Sequence, residues 1–207
     1  MTGPGAAARH RAGPGRPSTG ARERILEAAL ETLKADGYAG LTLAKVAARA
    51  GENKALVSYH YGSKQGLIAA AARELGETIT QQILIGVEGA RSVEEIVRGS
   101  LAGTWALLEQ DERLPRVYFD LNAVSIVEDG VRTVMREIKG GFRSVLADLL
   151  RNAEDAPPPR ARPALVLLII AGLEGLSLEW IERGDTAELR RAKDQFVRSI
   201  VAGLEAG

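Results

Sequence analysis

Cysteine is absent from this chain of 207 residues. That removes a disulfide framework and every thiolate metal site. Histidine occurs twice, at His10 and His60, and a lone histidine without cysteine partners is a poor metal ligand set. No metal and no cofactor are therefore expected. No uninterrupted apolar run reaches the ~18 residues that a bilayer-crossing helix needs. The N-terminal Gly/Pro/Arg stretch lacks the apolar core of a signal peptide. These absences point to a cytoplasmic protein without a membrane partner. There is no Gly-rich phosphate cradle and no nucleophile elbow, which argues against an enzyme. Nor does any useful length alternate apolar and polar residues with β-branched enrichment, so the expected fold is all-α, with about nine helices.

The net charge is zero, but the average hides an asymmetry. Residues 1–75 carry 11 Lys/Arg and 6 Asp/Glu, whereas residues 76–207 carry 16 and 21. A basic N-terminal part and an acidic remainder are the footprint of a chain that meets phosphates at one end only. The first twenty residues, rich in Gly, Pro and Ala with Arg9, Arg11 and Arg16, read as a disordered basic arm. Such an arm either tracks a nucleic-acid backbone or is merely solvated.

The most informative stretch is DGYAGLTLAKVAARAGENKALVSYHYGSK, residues 36–64. Leu43, Val46 and Ala47 form the apolar face of one short helix. A second opens at Ala55-Leu56-Val57 and closes at Tyr59-His60-Tyr61, and the turn Ala50-Gly51-Glu52 separates them. Neither is long enough to be stable alone. Thr42, Asn53 and Ser63 are candidate N-caps, and Gly51 suits the left-handed residue that ends a helix. This is a helix-turn-helix layout, which sets its second helix in a DNA major groove.

Residues 22–70 resemble the DNA-binding domain of the tetracycline-repressor-like (TetR) family. The matching pieces are the amphipathic helix from Arg22 to Ala35, the Gly37-Tyr38 turn, Thr42, Val46-Ala47, Ala50-Gly51, and the run from Tyr59 to Lys64 followed by Leu67. The resemblance implies a DNA-binding domain over residues 21–66 and a ligand-sensing and dimerisation domain over residues 67–207. It also implies DNA contacts from Thr42, Lys45, Asn53, Lys54, Ala55, Val57, Ser58, Tyr59, His60 and Lys64. Lys54 reaches a guanine edge or a phosphate, Asn53 either bonds DNA or only caps its helix, and Ala55 suits a thymine methyl. Two departures stand out. Ser58 occupies a position where the family often has Tyr. Glu52 replaces an apolar residue and is expected to face solvent, because an unpaired buried carboxylate is costly.

Beyond the motif, a helix from Lys64 to about Ile85 links the two halves, and helices follow over about 93–109, 115–127, 130–151, 162–183 and 186–204. Gly86, Gly89, Asp129-Gly130, the triple proline 157–159 and Gly184 punctuate them. The resemblance places a ligand cavity among helices five to seven. Trp105, Tyr118, Phe119, Asn122 and Met135 are its candidate lining, with Glu174 as an anchor; ordinary core filling is the alternative for each. A small, mostly apolar effector would suit them. The last two helices carry apolar stripes, and the segment 164–171 is apolar nearly all round. A four-helix dimer interface is therefore expected, using Leu165, Leu168, Gly172, Leu176, Phe196 and Ile200. The sequence thus reads first as a homodimeric repressor on a palindromic double-stranded DNA operator, released by a small molecule. A ligand-independent regulator or activator stands second, and an all-α enzyme or carrier a distant third.

Overall fold

The computed structural model describes residues 20–205. The expected basic arm, Gly20 apart, lies outside the described residues. Among those described, nine α-helices and no strand form the chain: α1 (Ala21–Gly40), α2 (Leu43–Ala50), α3 (Lys54–Tyr61), α4 (Lys64–Gly86), α5 (Val93–Gln110), α6 (Arg113–Val124), α7 (Asp129–Asn152), α8 (Arg162–Arg183) and α9 (Ala187–Glu205).

Short polar side chains start these helices where the sequence places them. The Thr42, Asn53 and Ser63 side chains accept from the backbone N–H of Lys45, Leu56 and Gly66. Ser92 and Glu95 form a reciprocal capping box at α5, which satisfies donors that the first turn leaves unpaired. Gly51 closes α2 at φ 68°, and its N–H reaches back to the Ala47 carbonyl. Helix α1 runs five residues past the expected Ala35, but it is broken inside by Gly37 at φ 65°. The anticipated turn is thus a kink within one helix. Helix α6 starts at Arg113, before Pro115, and ends at Val124 rather than Val127. Its end is tied off locally. The Ser125 hydroxyl donates to the Asn122 carbonyl at 2.6 Å, and Arg132 donates to the carbonyls of Ser125 and Ile126 at 2.9 and 2.6 Å.

Two apolar clusters organise the bundle. The first joins α1–α4 to α6 and α7 through Ile25, Leu33, Val46, Val57, Leu67, Leu75, Leu121 and Val134. It crosses the expected boundary at residue 66, which falls in the first turn of α4. The second gathers α5, α7, α8 and α9 around Ile96, Leu108, Leu150, Ile169 and Val197. Among the described residues, helix α8 alone is long and apolar enough by composition to cross a membrane. Its Leu165, Val166, Ile169 and Leu173 are buried in the second cluster, so part of that apolar composition serves the core.

Helices α4 and α5 touch backbone to backbone. A Cβ on Gly99 would lie 2.4 Å from the Gly86 carbonyl oxygen, and one on Gly103 would lie 2.3 Å from that of Gln82. No side chain fits between them. Gly103→Ala is expected to lower stability by about 1–3 kcal/mol. Gly140→Ala on α7, where a Cβ meets nothing within 4 Å, should instead stabilise by about 0.5–1 kcal/mol. Urea unfolding of both variants checks this, and equal effects at the two sites would remove the close-approach argument.

Candidate functional site

The helix-turn-helix presents a polar outer face. Lys54, Ala55 and Tyr59 on α3 are exposed, Tyr59 by 75%. Ser58 is half-buried beside them. Thr42, Lys45 and Asn53 are exposed too, but partly engaged: Thr42 and Asn53 cap their helices, and Lys45 pairs with Asp36 at 3.3 Å. Asp120, Glu52 and Lys64 bind this unit to its surroundings.

Several expectations need correction here. Val57 is fully buried and belongs to the core under the reading helix, not to its outer face. The Nε2 of His60 is buried with no hydrogen-bond partner among the described residues, so that nitrogen faces inward. Glu52 does not point to solvent. Its side chain is 14% exposed and paired with Arg24 of α1, which removes the cost of burying a lone carboxylate. Lys64 is occupied within the chain: its ammonium donates to the Tyr38 carbonyl at 3.3 Å and sits 4.8 Å above the Tyr38 ring centroid.

The same Tyr38 meets the other half of the protein. Its N–H donates to the Asp120 carboxylate of α6 at 2.7 Å, a bond made possible by the Gly37 kink. Farther along, Lys34 of α1 pairs with Asp111 at 3.0 Å, and Arg113 pairs with Asp111 at 3.0 Å and reaches Glu31 at 3.7 Å. The Arg113 hydrogen bond first, then that of Lys34, hold the Asp111 carboxyl down at about 2. It therefore stays ionised at any ordinary pH, and its pairing fades only as pH falls below the usual carboxylate range.

An apolar cavity of about 90 Å³ lies between α4, α5, α6, α7 and α8. Ile79 and Ile83 of α4, Leu107 and Leu108 of α5, Tyr118 and Phe119 of α6, Phe142 of α7, and Leu173 and Glu174 of α8 are among its walls. The Tyr118 hydroxyl donates to Glu174 at 2.6 Å, and Lys139 stands 3.6 Å from the same carboxylate. Burial, then the hydrogen bond to Glu174, raises the Tyr118 pKa far above that of an ordinary phenol, so it remains a donor. Ser100 also lines the cavity. It is 1% exposed and its hydroxyl has no partner among the described residues.

Tyr118, Phe119 and Glu174 are thus brought together as expected; the other candidates are not. Trp105 belongs to the second cluster and turns toward α9, where the Lys193 ammonium sits 4.1 Å above its ring centroid. Met135 is buried in the first cluster. Asn122 lies close enough to bond the Tyr118 hydroxyl but forms no wall. Ser100, Thr80, Thr104 and Phe142 were missed. The only signal for the first three was a Ser or Thr interrupting an otherwise apolar helix face.

The expected dimer residues divide likewise. Leu165 and Ile200 are buried in the chain's own core. Gly172 packs on the Phe196 ring, where a Cβ would lie 2.2 Å from Cε2, so that contact is internal. Leu176 and Phe196 are half-buried in the second cluster. Leu168 is outward, 59% exposed, with Leu167 at 54% and Leu178 at 41%. Ala164, Ala171 and Gly175 are also exposed. Together with Leu168 and Leu178 they trace one face at three- and four-residue spacing.

Residues 25–71 match the model for bacterial regulatory proteins of the tetR family, and residues 91–204 match that for the C-terminal domain of BetI-type transcriptional repressors. The chain belongs to the TetR family. It is 40% identical over 198 residues to the HTH-type transcriptional regulator BetI of Paraburkholderia xenovorans, covering 91% of this chain and all of that one. A transcriptional regulator from Rhodococcus sp. Rha1 shares its fold at a TM-score of 0.74 and 22% identity, over 88% of this chain and 96% of that one. So does the regulator FadR from Bacillus subtilis in complex with stearoyl-CoA, at 0.71 and 17%, over 87% and 98%. The protein is a DNA-binding transcriptional regulator, not an enzyme. As in other TetR proteins, the reading surface is the helix-turn-helix, and exposed Lys54 opens its second helix. Lys54→Ala is expected to lower the slope of log affinity against log salt by about one unit on random duplex DNA. An unchanged slope would remove Lys54 from the phosphate contacts.

Proposed function

We propose that this regulator is a homodimeric repressor in the cytoplasm that leaves its operator when a small molecule occupies the cavity. The observation that carries the proposal is Ser100. A buried hydroxyl with no protein partner is costly, and here it faces an otherwise apolar cavity that a ligand could enter to complete it. Glu174 is already engaged by Tyr118 and Lys139, so the cavity presents no unbalanced charge. It suits a mostly apolar effector with one hydrogen-bonding group. The fold neighbour from Bacillus subtilis, with its stearoyl-CoA, supports a helical framework that accommodates a ligand with a long apolar chain.

Two links run from the cavity to the DNA-binding face. Helix α4 lines the cavity with Ile79, Thr80 and Ile83 and starts at Lys64, beside the reading helix. Helix α6 lines it with Tyr118 and Phe119, and the next residue, Asp120, holds the Tyr38 N–H. An occupant that moves the two aromatic rings also moves Asp120. That gives the effector different contacts in two states, which is what a coupled release requires. The second reading, a regulator that ignores ligands, would have needed a cavity sealed by large side chains.

Operator selection from random duplexes, followed by a screen for compounds that release the operator, tests the proposal. Thr104→Trp fills the cavity from α5 without touching the reading face. It should raise the half-release concentration at least tenfold, about 1.4 kcal/mol, and leave operator affinity near wild type. Equal release from both proteins would place the effector elsewhere.

The partner surface is assigned to the outward face of α8. It is apolar, near the middle of the helix, and free of the chain's own core. A C2 axis there would pair α8 and α9 from two chains and set two reading heads for half-sites about 34–36 Å apart. Leu168→Glu should give a folded monomer by sedimentation velocity and circular dichroism, because Leu168 contributes little to the second cluster. A variant that remains dimeric would move the interface off this face.

A further inference from the structure

Outside the cavity, helices α4 and α7 enclose a second compartment. They touch where Gly76 meets Ile138; a Cβ on Gly76 would lie 2.9 Å from Ile138 Cγ2. Beside this contact a solvent-facing groove of about 400 Å³ opens, lined by Arg73, Glu77, Gln81, Glu137, Gly141 and Phe142, with Thr80 at its floor. Thr80 and Phe142 line the inner cavity as well. They are the wall common to both spaces, and Phe142 is only half-buried. The Thr80 hydroxyl is turned away, donating to the Gly76 carbonyl at 2.8 Å, so the floor is apolar where the two spaces meet. The inner cavity, at about 90 Å³, has room for a few waters at roughly 10–15 Å³ each or for a small apolar group. It is too small for a ligand of ordinary size, which needs roughly 300 Å³ or more. The groove is larger and polar at its rim.

We propose that the groove between α4 and α7 is the entrance and outer half of the effector site, and that the effector is amphipathic. Its apolar end passes Phe142 into the inner cavity, and its polar end stays in the groove. The inference rests on the reading of the inner cavity as the effector site. Charge settles the kind of polar end. At the rim, Arg73 donates to Glu137 at 2.8 and 3.1 Å and is thereby neutralised. Glu77 is exposed and has no ion pair among the described residues. The rim therefore carries one uncompensated negative charge, which disfavours a carboxylate or phosphate and favours a neutral or cationic hydrogen-bonding group. Gly141 makes the entrance possible. It is exposed on the groove side of α7, and a Cβ there meets nothing within 4 Å, so the passage beside Phe142 is not screened by a side chain.

The test uses 1-aminoanthracene, an apolar ring system with one amino group that fluoresces in apolar surroundings, and anthracene-1-carboxylate as its anionic counterpart. Stopped-flow fluorescence on the full chain should show the amine binding wild type at least tenfold more tightly than the carboxylate. Gly141→Trp should slow association of the amine at least tenfold. Gly140→Trp, one residue away and outside the groove, should not. Gly141→Leu guards against a folding effect of the large ring, and it too should slow entry. Thr104→Trp should abolish the amine signal, which establishes that the amine occupies the inner cavity. If wild type binds the amine, Thr104→Trp does not, and the Gly141 variants bind at the wild-type rate, the entrance is elsewhere and the cavity reading stands. If wild type prefers the carboxylate, the assignment of the polar end is wrong. If wild type binds neither, or Thr104→Trp binds the amine as well as wild type, the cavity reading falls and this inference with it.

Discussion

Everything in this molecule hangs on the contact between α4 and α5, where backbone meets backbone at Gly86, Gly99 and Gly103. At that crossing a methyl group would overlap a carbonyl oxygen, so the C-terminal end of α4 has one position against α5. The other end of α4 begins at Lys64, directly after the reading helix. Helix α4 thus bears the DNA-binding unit at one end and is fixed against α5 at the other, and its later turns, at Ile79, Thr80 and Ile83, are a wall of the cavity.

The reading unit is held from a second side. The N–H of Tyr38 is exposed by the Gly37 kink and donates to Asp120, on the helix that also supplies Tyr118 and Phe119 to the cavity. Around it, Lys34, Glu31, Asp111 and Arg113 form a partly exposed ion network across the same junction. Such pairs contribute little stability individually, of order 0–1 kcal/mol, but they fix orientation. The link is polar and directional where the rest of the junction is apolar. A polar link is suited to two alternative arrangements, since it is lost over a short displacement whereas an apolar surface slides.

Local chemistry made the DNA-binding end legible in the sequence. Thr42, Asn53, Ser63 and Gly51 act within three or four residues of themselves, so caps and turn could be read directly, and they occur as expected. Glu52 was misjudged because its partner, Arg24, is 28 residues away, and Val57 because a helix this short does not announce which side faces the core. The cavity was legible only in part. Aromatic residues on the middle helices suggested a lining, yet Trp105 turns to α9 and Met135 to the first cluster, because helix rotation depends on neighbours that periodicity cannot name. Ser100, whose buried hydroxyl has no partner among the described residues, is an inconspicuous serine until its surroundings are known. On α8, the all-round apolarity did not show which face the chain's own core takes; the division between Leu165, which faces inward, and Leu168, which faces outward, needed the packed helix.

Thermodynamic linkage gives the most direct test of the central claim, that cavity and operator are coupled. The affinity of 1-aminoanthracene for the wild-type protein should be measured by fluorescence titration, with and without a saturating concentration of the selected operator duplex. If cavity occupancy and DNA binding favour different states, the operator must weaken dye binding by the same factor by which the dye weakens operator binding. The account predicts that reciprocal loss, and predicts that Asp120→Ala reduces it. Identical dye affinities with and without operator, at full occupancy of the cavity, would contradict the account.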